Sequence, residues 1–490
     1  MVQSPEVVVG PLQLVLDLCA AMDREGIRTC HWKSTDALDR SASGENDLDL
    51  LVAEDDVARF EGVLRELGFI EAIVGRAQRQ PGVRHFYGLD DASGRLVDVH
   101  AHERLILGDD ATKNYRLPIE SAYLATSTAA DPFMVPAPEL ELAVFVVRMM
   151  LKHGSPEAML SARGSLGRRE REELAYLSDR SDPAVRWRDL TRSAPMLESS
   201  ILERCIASFD RGRTLRMRLE VWGELRRRLA PGARRPRAVD VWLQVWRRVA
   251  GRTRRHVLSR PPRKRPVGGG RVIALIGSDG AGKSTTARGL AQWLSPIFAV
   301  HRIHLGKPRR SLAWILLRSG IHIGRRLGLA GTEAPAPVGS PEAPVDEPGR
   351  ARLAIEALTA RDRWRAAKRA RRLASRGSIV ICDRYPLPQI SVDGPRPGQR
   401  VLALEGSPSR LSGIERRYHA RIAAPDVVVV LAVPPEVAVR RRPEADATVI
   451  DARAREVLGA PWGADVVIVD ASRSADAVLA DVKRGVWAGL

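Results

Sequence analysis

The sequence predicts an α/β protein: a parallel sheet with helices on both faces in the C-terminal half, preceded by an α+β module with a helical extension. Three observations carry this. After residue 271, apolar segments of strand length alternate with helical segments, at Arg271–Ile276, Val300–His304, Ser378–Cys382, Val427–Val433 and Val466–Val469. Apolar runs without polar alternation mark strands covered on both faces. Between residues 8 and 125 helical and strand-like patterns also alternate, but there the strands carry acids. Finally, a chain of 490 residues is too long for one hydrophobic core.

In the first module, residues 1–125, the patterns predict a helix at Leu12–Arg24, a strand at Asp47–Val52, a helix at Asp55–Leu67 and strands near His85 and Val97. Residues 126–235 read as a helical extension, with apolar spacing in Leu140–Leu151 and Leu197–Leu229 broken by the polar stretch Gly164–Glu173. Residues 236–270 shift to Arg, Pro and Gly, ending in Arg260-Pro261-Pro262-Arg263-Lys264-Arg265-Pro266 and Gly268-Gly269-Gly270, a composition expected of an interdomain linker. Within it, Val239–Val257 places Trp242, Trp246 and Val249 at helical spacing among arginines, compatible with an amphipathic surface helix or with one packed on the neighbouring module. In the last module, 271–490, the Ala-, Pro- and Glu-rich stretch 331–349 is expected to be disordered.

Composition sets the class of partner. The net charge is +19, almost all of the basic excess being arginine, which favours polyanions such as nucleotides, nucleic acid or acidic lipid headgroups without choosing among them; the basic linker is the expected place for weak anionic-surface or nucleic-acid contact. Cys19, Cys30, Cys205 and Cys382 lie without ligand spacing, which argues against a disulfide framework or a structural zinc site. Residues Met1–Pro11 lack a basic region followed by an apolar core, and no run of 18 uncharged apolar residues occurs. A cytoplasmic protein is expected; the oligomeric state is open, a dimer included.

Gly277-Ser278-Asp279-Gly280-Ala281-Gly282-Lys283-Ser284-Thr285 follows an apolar strand and opens a helix. In that context the G-x-x-x-x-G-K-[ST] motif is a phosphate-binding loop: Gly277, Gly280 and Gly282 let backbone N–H groups curl around phosphates, and the helix N-terminus at Ser284 and Thr285 adds partial positive charge. Lys283 reaches the outer phosphates and Ser284 takes magnesium, so ATP and Mg2+ are the expected cofactors. A second signal is Ile379-Val380-Ile381-Cys382-Asp383-Arg384-Tyr385, an apolar strand ending in an acid and a base at the sheet's C-terminal edge. Asp383 can act on magnesium through its waters and Arg384 can meet a phosphate.

Together the loop and the Asp-Arg-Tyr strand end resemble thymidylate kinases. Ala360-Arg361-Asp362-Arg363 is similar to that family's Ala-x-Asp-Arg helix, and Tyr418–Val433 to its helix that leads through Pro-Asp into an apolar strand. Arg440-Arg441-Arg442 stands where the family has a mobile lid. The resemblance implies that Asp279 faces the acceptor's sugar or hydroxyl and that Arg363 and Arg384 hold the acceptor phosphate. It also implies that lid arginines such as Arg441 neutralise the transferred group. The family's Arg-Glu-Pro-Gly-Gly segment is replaced by His304-Leu305-Gly306-Lys307-Pro308-Arg309-Arg310, and Pro386-Leu387-Pro388-Gln389 replaces its polar run after Tyr385. The acceptor is therefore another nucleotide, thymidylate itself, or a phosphorylated or hydroxylated metabolite.

Gly44-Glu45-Asn46-Asp47-Leu48-Asp49-Leu50 puts two carboxylates on one strand face, able to chelate a divalent ion, and Asp98 in Leu96-Val97-Asp98-Val99 could complete a two-metal site. With Lys33-Ser34 upstream, this resembles the nucleotidyltransferase superfamily, although Trp32-Lys33-Ser34 replaces the small-residue turn. His100 and His102 alternate onto one strand face beside Asp98, as candidates for a lone metal site or as strand-end histidines. Three functions follow as expectations. The first is ATP-dependent phosphorylation of a nucleotide or related small acceptor. The others are a bifunctional nucleotidyltransferase and kinase acting on a sugar or polysaccharide precursor, and a non-catalytic nucleotide-gated binding module.

Overall fold

The computed structural model describes residues 10–75, 79–160, 165–209, 215–253, 263–306, 308–326, 350–391, 398–406 and 408–490. The stretch 331–349 lies outside them. The chain forms two compact units, Met1–Pro262 and Arg263–Leu490, and both are α/β.

In the first unit, strands β1 (Thr29–His31), β2 (Leu48–Val52), β3 (Ile70–Ile73), β4 (Val83–Leu89) and β5 (Leu96–His102) lie in the order β1-β2-β5-β4-β3. β2 and β5 run parallel, while β4 pairs antiparallel with both β5 and β3. Alternation places Val97, Val99 and Ala101 against the helices Gln13–Arg24 and Val57–Glu66, and leaves Asp98, His100 and His102 on the opposite face. Two small hairpins follow, β6 (Ile106–Leu107) with β7 (Tyr115–Arg116) and β8 (Thr128–Ala130) with β9 (Phe133–Val135). The helical extension is built around Pro138–His153, buried along most of its length and packed against Arg168–Arg180, Ser199–Ser208 and Leu215–Arg228.

The region read as a linker divides differently. Arg237–Arg252 is a helix of the first unit, because its polar side chains dock on the loop at 109–112: Arg248 pairs with Asp109, Arg247 donates to the Ala111 carbonyl at 2.7 Å, and Gln244 reaches Thr112. An Arg-rich composition signalled a linker, but here arginine provides the packing contacts. Val241, Trp242, Val245, Trp246 and Val249 remain exposed, the two indoles stacked with centroids 6.3 Å apart. No helix among the described residues is long and apolar enough to cross a membrane.

In the second unit a two-residue strand, β10 (Arg265–Pro266), precedes the sheet of β11 (Val272–Gly277), β12 (Val300–His304), β13 (Ile379–Asp383), β14 (Val427–Ala432) and β15 (Val466–Asp470). The order is β12-β13-β11-β14-β15 and every pair is parallel. The expected strands match to within about a residue, since parallel strands covered on both faces are the most plainly written elements of a sequence. Asp426 ties the sheet to the helix Arg350–Ala374 by accepting from the Val272 amide at 2.7 Å and from Arg371 at 2.7 Å.

Inside the helix Pro138–His153, the Glu141 carboxyl is buried and accepts from the Thr35 amide at 3.1 Å and its hydroxyl at 2.6 Å, holding the chain just after Lys33. Burial outweighs these bonds and pushes its pKa up from 4.5 to about 7. A carboxyl whose folded pKa exceeds its unfolded value contributes stability that is fully present below pH 4.5 and is lost as pH rises toward 7. Urea unfolding should therefore show wild-type stability falling, relative to Glu141→Gln, by on the order of 2–4 kcal/mol over that interval. Parallel pH profiles for the two proteins would contradict the assignment.

Candidate functional site

The second unit's site forms where β11 and β13 end. Leu275 pairs with Asp383 and His304 on β12 also pairs with Asp383, so three strand termini open on one edge. The chain leaving β11 turns through residues 278–282 into the helix Lys283–Leu294, whose N-terminal amides point into the loop. Gly280 has φ +83° and its Cα lies so close to strand-following backbone that a Cβ would stand 2.6 Å from the Ala438 carbonyl oxygen. Only glycine meets both demands.

Lys283 is buried, and its Nζ donates to the Gly277 and Ser278 carbonyls at 2.8 and 2.7 Å. The ammonium thus lies folded over the loop, 3.9 Å from Asp279. Ser284 and Thr285 are exposed at the helix start. Asp279 is held from two sides: Arg384 Nη2 donates to Oδ1 and Arg453 Nη1 to Oδ2, each at 2.6 Å. Burial opposes its ionisation, but Arg384, Lys283 and Arg453 outweigh that and lower its pKa. Arg384 itself has φ +55°, a left-handed conformation that costs a non-glycine residue about 1–3 kcal/mol and turns its side chain back across the loop.

Asp383 has one carboxylate oxygen 3.9 Å from His304 and the other, Oδ1, buried with no hydrogen-bond partner. A buried carboxylate oxygen in that state fits a divalent cation with its waters. Arg363 donates through Nε to the Leu305 carbonyl at 3.0 Å, at the end of β12. Arg441, by contrast, donates to the Ala471 and Ser472 carbonyls at 2.8 and 3.1 Å. It braces the loop after β15, and the structure does not bring it to Asp279. Arg453 was missed from the sequence: it lies 174 residues from Asp279 on the helix Ala447–Gly459, in an Arg-Ala-Arg run with no local signature.

The first unit gathers a second constellation, with Asp47 and Asp49 bracketing the start of β2 and Asp98, His100 and His102 on β5. Asp49 is buried, and Lys33 Nζ lies 2.9 Å from its Oδ1, His102 Nε2 3.2 Å and His100 Nδ1 3.5 Å. Burial would raise the pKa of Asp49, but Lys33 and the two histidines hold it well below the usual carboxylate range. Burial likewise opposes protonation of His100, yet hydrogen bonds to Asp49 and Asp98 lift it to about 9. His102, more deeply buried, is pushed down to about 4.

No family model matches the chain. It is 27% identical over 232 residues to the uncharacterized ATP-binding protein YghS of Escherichia coli (strain K12), a match covering 45% of this chain and 94% of that protein. It is also 28% identical over 189 residues to the uncharacterized ATP-binding protein YghR of the same strain, covering 36% of this chain and 70% of that protein.

Gly280→Ala should weaken tripolyphosphate binding at least tenfold by isothermal titration while leaving the far-ultraviolet circular dichroism unchanged, because a left-handed backbone and a carbonyl oxygen both oppose the added methyl. Unaltered affinity would mean that anions do not use this loop.

Proposed function

We propose that the second unit binds ATP with magnesium and transfers its terminal phosphoryl group to a small acceptor, a nucleotide or a related phosphorylated metabolite. The observation that carries this reading is the convergence of Lys283, Arg384 and Arg453 on Asp279 at the mouth of a phosphate-binding loop. Phosphoryl transfer requires positioning and cations around the equatorial oxygens more than any covalent catalyst. Three cations about one acid leave a net positive field, suited to a second phosphate beside the nucleotide's own. The names of the two relatives add support for ATP, and the resemblance to thymidylate kinases suggests a nucleoside monophosphate.

In this reading the loop amides hold the nucleotide's phosphates, and Lys283 leaves the Gly277 and Ser278 carbonyls to meet the outer ones. Asp279 accepts a hydrogen bond from an acceptor hydroxyl, with Arg384 and Arg363 placed to take an acceptor phosphate. The acceptor oxygen bonds to the γ phosphorus as the bond to the bridging oxygen breaks, and ADP departs. Ser284 and Asp383 would hold magnesium, which neutralises charge on the phosphates. Nucleotidyl transfer by the first unit has less support, because Lys33 already neutralises the Asp49 carboxylate that would have to take a metal.

A coupled ADP-release assay against nucleoside monophosphates and sugar phosphates tests the proposal. Turnover with one acceptor class should fall at least 100-fold in Lys283→Ala. Arg384→Ala should raise the acceptor KM about tenfold or more, with the ATP KM changing by no more than about threefold, since a lost charge-assisted phosphate contact is worth about 1.5–3 kcal/mol. ATP binding with no turnover on any acceptor would remove the kinase assignment and favour a nucleotide-gated binding module.

A further inference from the structure

His85 on β4 and His100 on β5 are direct cross-strand partners, and their rings meet edge to face with centroids 4.4 Å apart. Asp98 precedes His100 by two residues and so projects from the same face of β5. One ligand atom from each of the three lies within 4.8 Å of the other two. Around a tetrahedral ion with bonds of about 2.0–2.2 Å, ligand atoms sit about 3.3–3.6 Å apart. Small side-chain rotations cover the difference.

A second layer of contacts orients the three. Tyr87 donates its hydroxyl to Asp98 Oδ2 at 2.6 Å. His100 presents Nδ1 to Asp47 and Asp49, at 3.5 Å from each, while Nε2 lies 3.4 Å from Asp98 Oδ1. An imidazole with one nitrogen held by carboxylates and the other turned toward a further carboxylate and a second imidazole has the arrangement that metal-ligating histidines take. Two imidazoles and one carboxylate suit zinc, cobalt, manganese or iron; magnesium and calcium prefer all-oxygen sets.

We infer that His85, Asp98 and His100 bind a divalent transition-metal ion, with at least one coordination position left open to water or to an anionic oxygen of a ligand. The set differs from the three acids suggested by the sequence. Asp49 is satisfied by Lys33, and together with Asp47 it orients His100 in place of ligating. Asp98 alone serves in both arrangements, and His85 replaces an acid. All three residues are partly exposed, as an exchangeable site requires.

The test uses the full chain, stripped with a chelator and dialysed, titrated with Co2+ by visible absorption and with Zn2+ by calorimetry. One equivalent should bind at micromolar or lower concentration, with ligand-field bands of low coordination number. His85→Ala and His100→Ala should each weaken binding at least 100-fold, and Tyr87→Phe about tenfold through the orientation of Asp98. His301→Ala, in the second unit, should change nothing. Absence of saturable one-equivalent binding, or binding that survives both histidine variants, overturns the site. Should the alanine variants unfold, Asp98→Asn and Tyr87→Phe decide, and undiminished affinity in both overturns it equally.

Discussion

The second unit depends on one constraint, an apolar strand that must be covered on every side. Val272, Ile273, Ala274, Leu275 and Ile276 are all buried, with β13 along one edge of their strand and β14 along the other. A segment without a polar side chain can sit neither at an edge nor against water, so it takes the centre of the sheet. Parallel pairing then sets Leu275 beside Asp383 and Gly277 beside Leu431. The phosphate loop and the Asp-Arg strand end therefore emerge together. The site is a consequence of sheet order, and ligands in open parallel sheets gather at that edge for the same reason.

What could be read in advance follows from how local each signal is. The central strands and the loop are legible because each is specified by contiguous residues: an apolar run, then glycines at fixed spacing, then a helix. Arg384 was legible as a candidate because it ends a strand beside an acid. Arg453 was not, since its role comes only from the fold of Ala447–Gly459 back over the loop. Arg441 has contacts that its sequence position did not suggest. An arginine near the expected lid has five donors to place, and the Ala471 and Ser472 carbonyls take two of them, which no local pattern reveals. The helix Arg237–Arg252 was legible in the spacing of Trp242, Trp246 and Val249, but not its docking contacts, which are made by residue types that composition assigns to a linker.

Asp279 shows how a carboxylate can serve an anion site. Alone it would repel phosphate. Placed between Arg384 and Arg453, with Lys283 at 3.9 Å, it instead fixes the direction of two guanidinium groups beside the loop. The left-handed backbone at Arg384 belongs to the same arrangement, strain held in place by the surrounding contacts.

The two units thus carry constellations of opposite sign. At the loop edge, Lys283, Arg384 and Arg453 surround one acid, a balance of charge that favours an anion. On the first unit's sheet, the three acids Asp47, Asp49 and Asp98 outnumber Lys33 and His100, so the balance is negative and favours a cation. Lys33 pairs with Asp49, at 2.9 Å. It lies on the β1 side of that carboxylate, whereas His100, His85 and Asp98 lie across β5 and β4 from it. A lysine at one end of an acidic row satisfies the nearest carboxylate and leaves the far end to another cation. The same strand alternation that buries Val97 and Val99 delivers imidazoles there, and they turn an electrostatic preference for any cation into a chemical preference for a transition metal.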